Sequence, residues 1–155
     1  VKEDYLLYYS RRFNSVMDKY VDEMADRLGL KVVEISIRTT NKCRHILYYS
    51  AGVEEFLSLV KYSSFVITNS FHCSIFAMHF KKEFYVFGRE HCNYKIKELL
   101  SIVGLSNRFV IDSIGNVEAI NYDDVQKQIA IERKRSIEFL SDAVTNMILN
   151  RNRIG

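Results

Sequence analysis

The sequence predicts a single α/β domain, in which helices flank a parallel sheet of four to five strands and a long helix ends the chain. Strand-like runs alternate with helix-like segments over most of the 155 residues, as they do in βαβ proteins. The strand candidates are continuous apolar runs, which is typical of parallel strands that are covered on both faces. A chain of this length commonly forms one domain, so residues 1–155 are assigned to one.

The first 37 residues predict a strand, a helix and a second strand. Residues 5–9 form a short aromatic and apolar run, which indicates a buried strand. Apolar residues from Phe13 to Leu28 recur with helical spacing, and Gly29 supplies the left-handed stop that follows many helices. Residues 32–37 are rich in β-branched side chains, which favours a second strand. We expect this unit to be a right-handed crossover between parallel strands.

The remaining elements follow from the same criteria. Residues 38–52 predict a long polar loop, in which residues 45–49 are a candidate edge strand. Further strands are expected at residues 65–68, 84–87 and, as a fifth candidate, 109–111. Helices are expected at residues 53–60, 71–80, 94–103 and 121–149.

The last of these helices carries a regular apolar stripe. Val125, Ile129, Leu140 and Val144 recur at helical spacing, and Asn121 is a suitable N-cap. We expect the stripe to pack along its length on the sheet or on neighbouring helices.

Composition excludes several functional classes. The excess of 22 Lys and Arg over 19 Asp and Glu gives a charge of +3, which is too small to indicate nucleic-acid binding. No uncharged apolar run approaches the ~18–20 residues of a membrane helix, and the first residues lack the layout of a signal peptide. Cys43, Cys73 and Cys92 have no CxxC spacing, so neither a disulfide framework nor structural zinc is expected. Free thiols favour a cytoplasmic location, and the absence of nucleotide-binding glycine motifs predicts no cofactor.

The most informative segment joins a buried strand to a helix. Residues 65–67 are apolar, residues 68–70 are small and polar, and the helical pattern begins at once. Asn69 or Ser70 can cap this helix, whose first N–H groups then point outward. Because a helix N-terminus at the carboxyl end of a parallel strand binds anions, and His72 stands in its first turn, the segment predicts an anion site. The alternative is a plain helix cap with His72 as a partly exposed surface residue.

This segment resembles the polysaccharide pyruvyl transferase family. In that family a strand of the type Val-Ile-Thr-(Asp/Asn)-Ser-Phe-His leads into a helix and then into a Lys-Pro-Phe-like strand entry. Residues 66–72 and 82–84 compare with these two motifs, with Glu83 in place of the proline. Further similar segments lie at residues 54–57, 98–108 and 120–140. The likeness covers almost the whole chain.

The resemblance implies a pyruvyl transfer. Phosphoenolpyruvate would be the donor, and a pyruvyl ketal would form on two hydroxyls of a sugar in a cell-surface polysaccharide, with loss of phosphate. Family members resemble two-lobed GT-B-type glycosyltransferases, with a cleft between Rossmann-like lobes. The chain would then be the C-terminal lobe, which lacks its N-terminal partner lobe and is expected to be inactive alone.

The same resemblance assigns roles to individual residues. His72 stands where the family has its donor-contacting histidine, so it is the expected catalytic residue. Cys73 follows it where the family commonly has glycine. The other residues expected to bind the donor or its anionic groups are Asn69, Ser70, Phe71, Lys82 and Arg89.

The two basic residues of that set, Lys82 and Arg89, can also be assessed from their positions in the sequence. Arg89 follows the fourth strand at its carboxyl end, where it could clamp a carboxylate or phosphate in bidentate fashion, whereas Lys82 precedes that strand. The alternative for Lys82 is a solvated position at a helix end, and the alternative for Arg89 is a surface ion pair with Glu90 or another acid. The loop after the second strand also borders the expected cleft, so its bases Arg38, Lys42, Arg44 and His45 are candidates for contacts to sugar or donor.

Two other functions remain open from sequence alone, a non-catalytic α/β ligand-binding or interaction module and a lobe of a GT-B glycosyltransferase. A receiver-like module is disfavoured because no acidic residue follows the first or third predicted strand. The adjacent His91 and Cys92 are too few for a metal site. Cys73 has no identifiable base that would make it a nucleophile, since its neighbour His72 faces another direction on a helix.

Overall fold

A computed structural model describes residues 4–12, 14–36, 44–88, 93–111 and 118–151. The strands are β1 (Tyr5–Tyr9), β2 (Lys31–Ile35), β3 (His45–Leu47), β4 (Phe65–Thr68), β5 (Glu83–Phe87) and β6 (Phe109–Val110). The helices are α1 (Ser15–Leu28), α2 (Val53–Tyr62), α3 (Phe71–His79), α4 (Asn93–Ile102) and α5 (Tyr122–Arg151), with a short 3-10 turn at Ser106–Arg108.

The strands form one parallel sheet in the order β3-β2-β1-β4-β5-β6. The predicted α/β fold with a parallel sheet and a long last helix is confirmed. The sheet has six strands instead of four to five, because both short candidate segments join its edges. β3 pairs with β2 and β6 pairs with β5, so backbone pairing extends further than the apolar runs alone suggested.

The first strand, helix and strand form the predicted βαβ unit. Asn14 caps α1 by accepting the N–H of Met17 at 3.0 Å, and Gly29 ends the helix at a φ of 65°. β1 and β2 pair from Tyr5 opposite Lys31 onward. Their carboxyl ends are therefore level at one edge of the sheet.

Both faces of the sheet are buried. Leu6 and Tyr8 face α1, where they join Met17 and Val21 in one apolar cluster. Alternate residues such as Leu7 face the other way, into a larger cluster that includes side chains from α2, α3, α4 and the start of α5. This division follows from right-handed crossovers, because connections that run in opposite directions along the sheet place their helices on opposite faces.

The last helix packs on the lobe only at its beginning. Val125 is 3% exposed and Ile129 packs against the core, whereas Leu140 is 61% exposed and Val144 52% exposed. The expectation that the whole stripe is buried is therefore wrong for Leu140 and Val144. The physical reason is length: 30 helical residues extend about 45 Å, whereas a five-residue strand extends about 17 Å. None of the helices in the described parts of the chain is long and apolar enough to cross a membrane.

Candidate functional site

The strand order places a crevice between β1 and β4. These strands are neighbours, but the chain continues from β1 toward one edge of the sheet and from β4 toward the other. Ligands of open α/β sheets bind at such a reversal, outside the carboxyl ends of the strands. Of the strand ends that the sequence offered, the structure therefore brings together residues 10–12 after β1 and residues 68–70 after β4.

The N-terminus of α3 opens at this crevice. Ser70 is its N-cap, with an extended backbone and with its side chain accepting the N–H of Cys73 at 3.4 Å. The Ser70 carbonyl accepts the N–H of Ser74 at 3.1 Å. The N–H groups of Phe71 and His72, in the first turn, have no carbonyl acceptor within the helix. Two backbone donors and the positive end of the helix dipole thus point toward the crevice.

At this helix start, Phe71 offers its backbone N–H and His72 offers its side chain. The side chain of Phe71 packs against the buried core, so its contribution to a site is its backbone N–H. The side chain of His72 is exposed, and its ring meets that of Phe71 edge-on at 5.7 Å between centroids. An imidazole in this position is accessible to a ligand and can donate a hydrogen bond to an anion.

Asn69 is turned away from solvent and toward the loop that follows β1. Its exposed fraction is 1%. Its Oδ1 accepts the N–H of Arg11 at 2.9 Å, and its Nδ2 donates to the carbonyl of Arg12 at 3.0 Å. If the amide were reversed, Oδ1 would face the carbonyl oxygen of Arg12, so the hydrogen bonds determine the orientation of the amide.

Arg11 and Arg12 are the site residues that sequence reasoning missed. Both side chains are exposed at the crevice edge of β1. Two bases directly after a strand were visible in the sequence. What was missing was the strand order, which alone shows that this turn lies beside the N-terminus of α3.

Cys73 lies behind the site and does not enter it. Its side chain is fully buried in the core. Burial raises the pKa of the Cys73 thiol to about 12, although a hydrogen bond with Thr68 opposes the shift. The thiol is therefore neutral and unreactive.

The structure does not bring Lys82 to His72. Lys82 precedes β5, whose first residue Glu83 pairs with Phe65 at the amino end of β4. The nine residues of α3 separate the two edges by about 13 Å. Partial burial lowers the pKa of Lys82, and its carbonyl accepts the hydroxyl of Tyr122. Arg89, the other expected base, lies outside the described residues.

The loop bases that the structure describes are also remote from the crevice. Arg44 forms an ion pair with Asp26, near the end of α1. The His45 ring is buried, with Nδ1 2.5 Å from Glu34 Oε2 and Nε2 2.9 Å from Asp22 Oδ1. Neither residue therefore lies where it would contact a ligand bound in the crevice.

Other candidates lie outside the described residues, namely Arg38, Lys42, His91 and Cys92. Within the described ranges, no group of three or more His, Cys, Asp or Glu side chains is arranged so that it could hold a metal ion.

Comparison with known proteins agrees with this geometry. A sequence model of the family described as "Polysaccharide pyruvyl transferase" matches residues 1–91, which include both strand ends of the crevice and all of α3. The chain belongs to the polysaccharide pyruvyl transferase family. The match does not reach the later segments in which a likeness was also expected.

Among solved structures, this family member is similar to Methanocaldococcus jannaschii UDP-GlcNAc 2-epimerase in complex with UDP-GlcNAc and UDP. The TM-score is 0.51 at 17% identity, over 83% of this chain and 38% of the epimerase. The chain thus spans well under half the length of that epimerase, and at this identity the likeness concerns the fold. A search of curated proteins gave no significant match.

Proposed function

We propose that this lobe holds the donor phosphoenolpyruvate of a pyruvyl transferase in the crevice between β1 and β4. The observation that carries the proposal is the exposed His72 in the first turn of α3, at the reversal of strand order, within the segment that the family model matches. A phosphate and a carboxylate are the two anionic groups of this donor. The site offers backbone N–H groups, an imidazole and two guanidinium groups to hold them.

The chemistry of such a transfer fits these groups. One sugar hydroxyl adds to C2 of the enol phosphate and loses its proton, and C3 takes up a proton, which produces the methyl group. The bond from C2 to the phosphate oxygen then breaks, and a second hydroxyl closes the ketal at C2. Charge builds on the departing phosphate, so a hydrogen bond donated by the His72 imidazole and the first-turn N–H groups of α3 would stabilise it where it develops.

The chain supplies only part of such an enzyme in this proposal. The acceptor sugar would bind across the crevice, on a second lobe of comparable size. The position of His72 at an open edge of the lobe, and the coverage of only 38% of the similar epimerase, support that arrangement.

The test is turnover of phosphoenolpyruvate by a polypeptide that carries both lobes, measured as release of inorganic phosphate. His72→Ala is expected to lower kcat/KM by ~10- to 1000-fold, as the loss of one charge-assisted contact predicts. His79→Ala is the matched control, because His79 is an exposed histidine at the other end of the same helix. Equal activity of the two variants would contradict the proposal.

A further inference from the structure

We infer that Asn69 is a positioning residue, which sets the anion affinity of the crevice through the turn at Arg11 and Arg12 without touching the anion. The inference rests on the proposed function of the same site. It replaces the expectation from sequence that the Asn69 amide binds the donor directly.

The side chain of Asn69 is not available to a ligand. It is 1% exposed, and both ends of its amide are bonded to main-chain groups of the turn. Arg11 and Arg12, in contrast, are exposed. The groups that reach the crevice from this side are therefore the guanidinium groups, and the group that fixes their backbone is Asn69.

The hydrogen bonds around the turn divide into local and bridging ones. Ser10 Oγ donates to the Arg12 carbonyl at 2.5 Å, which shapes the turn locally. Thr68 Oγ1 donates to the Tyr9 carbonyl at 2.8 Å and accepts the N–H of Ser70 at 3.0 Å, which ties the two strand ends together.

Among the hydrogen bonds of the described residues, those of the Asn69 side chain connect the end of β4 to the turn itself. It also immediately precedes Ser70, the cap of α3. A shift of Asn69 would therefore move the arginine backbone relative to the N–H groups of the helix. The buried amide of Asn69 thus fixes the backbone of the two arginines relative to the N-terminus of α3.

The test is a titration of this chain with phosphoenolpyruvate, followed by calorimetry, in a double-mutant cycle. Asn69→Ala is expected to weaken binding about tenfold, and Arg12→Gln to weaken it by a similar factor. The double variant should bind no more weakly than Asn69→Ala alone, because a displaced turn no longer presents Arg12 to the anion. Arg27→Gln, an exposed arginine at the end of α1, is the control for the loss of one positive charge.

The inference would be overturned if the double variant lost affinity by the product of the two single-variant factors, or if Asn69→Ala bound phosphoenolpyruvate with wild-type affinity. If Asn69→Ala does not fold, the same cycle is run with Asn69→Ser, whose short hydroxyl cannot bond both the Arg11 N–H and the Arg12 carbonyl. A wild-type chain that takes up no phosphoenolpyruvate contradicts the proposed function and this inference together. Binding that depends on His72 but shows no coupling between Asn69 and Arg12 contradicts only this inference.

Discussion

His45 is a buried charge partner, and its removal should destabilise the lobe strongly. Its side chain is fully buried between Glu34, which is also fully buried, and Asp22, which is one-third exposed. Removing one member of a buried pair costs ~3–5 kcal/mol, since the other charge stays in a poorly solvated place. For a domain of this size that corresponds to a fall in Tm of roughly 6–20 °C.

The assay is thermal unfolding of His45→Gln, followed by circular dichroism near pH 6. Arg44→Gln is the control, because Arg44 and its partner Asp26 are both exposed and such pairs contribute ~0–1 kcal/mol. Glu34→Gln combined with His45→Gln should lose less stability than the two single variants summed, because the double variant leaves no unpaired charge at that contact. A His45→Gln variant within ~1 kcal/mol of wild type would refute the reasoning.

The same contacts predict a pH dependence of stability. Burial alone would lower the pKa of His45, but hydrogen bonds to Glu34 and Asp22 outweigh it, so the pKa is raised. A pKa that is higher in the folded than in the unfolded chain stabilises the fold fully below about pH 6.5, and this stability is lost as the pH rises through the folded value. Wild-type Tm should therefore fall over that range, and His45→Gln should lack this part of the slope. If Tm varied with pH in the same way for wild type and His45→Gln, this prediction would be contradicted.

Three further outcomes are expected. Leu140→Ala should change the free energy of unfolding by no more than ~0.5 kcal/mol because Leu140 is exposed, whereas Leu100→Ala at a fully buried position should cost ~2–5 kcal/mol in a denaturant titration. Lys81 has a φ of 54°, a left-handed backbone conformation that costs a residue with a side chain ~1 kcal/mol. Lys81→Gly removes this strain and should raise Tm slightly, and a lower Tm would contradict this prediction. The chain alone should unfold cooperatively but release no phosphate from phosphoenolpyruvate with any sugar, and clear turnover would refute the need for a second lobe.

Local patterns were sufficient for the helices and strands, because burial on both faces of a parallel sheet leaves continuous apolar runs. Residues 65–72 also revealed the helix start with Ser70 and His72, since a cap and its first turn are adjacent in sequence. Strand order is a long-range property, however. Nothing in the sequence showed that the turn at Arg11 and Arg12 lies beside α3.

The errors share one physical origin. A periodic stripe shows which residues share a helix face, but it does not show how far a packing partner extends, so the exposure of Leu140 was not visible. The environment of a polar side chain depends in the same way on its neighbours in space. Asn69 was expected at the ligand and His45 in a cleft-lining loop, whereas Asn69 bonds a turn 57 residues away and His45 a buried carboxylate 11 residues away.

Binding of phosphoenolpyruvate in the crevice between β1 and β4 can be mapped directly on the isolated chain by nuclear magnetic resonance. In a ¹H–¹⁵N titration with phosphoenolpyruvate, saturable shifts are predicted for the amides of residues 70–74 and of Arg11 and Arg12, together with the ring of His72. His72→Ala should weaken these shifts, and His79→Ala should not. Shifts confined to the opposite edge around Lys82, or none at concentrations well above those of the cell, would contradict the claim.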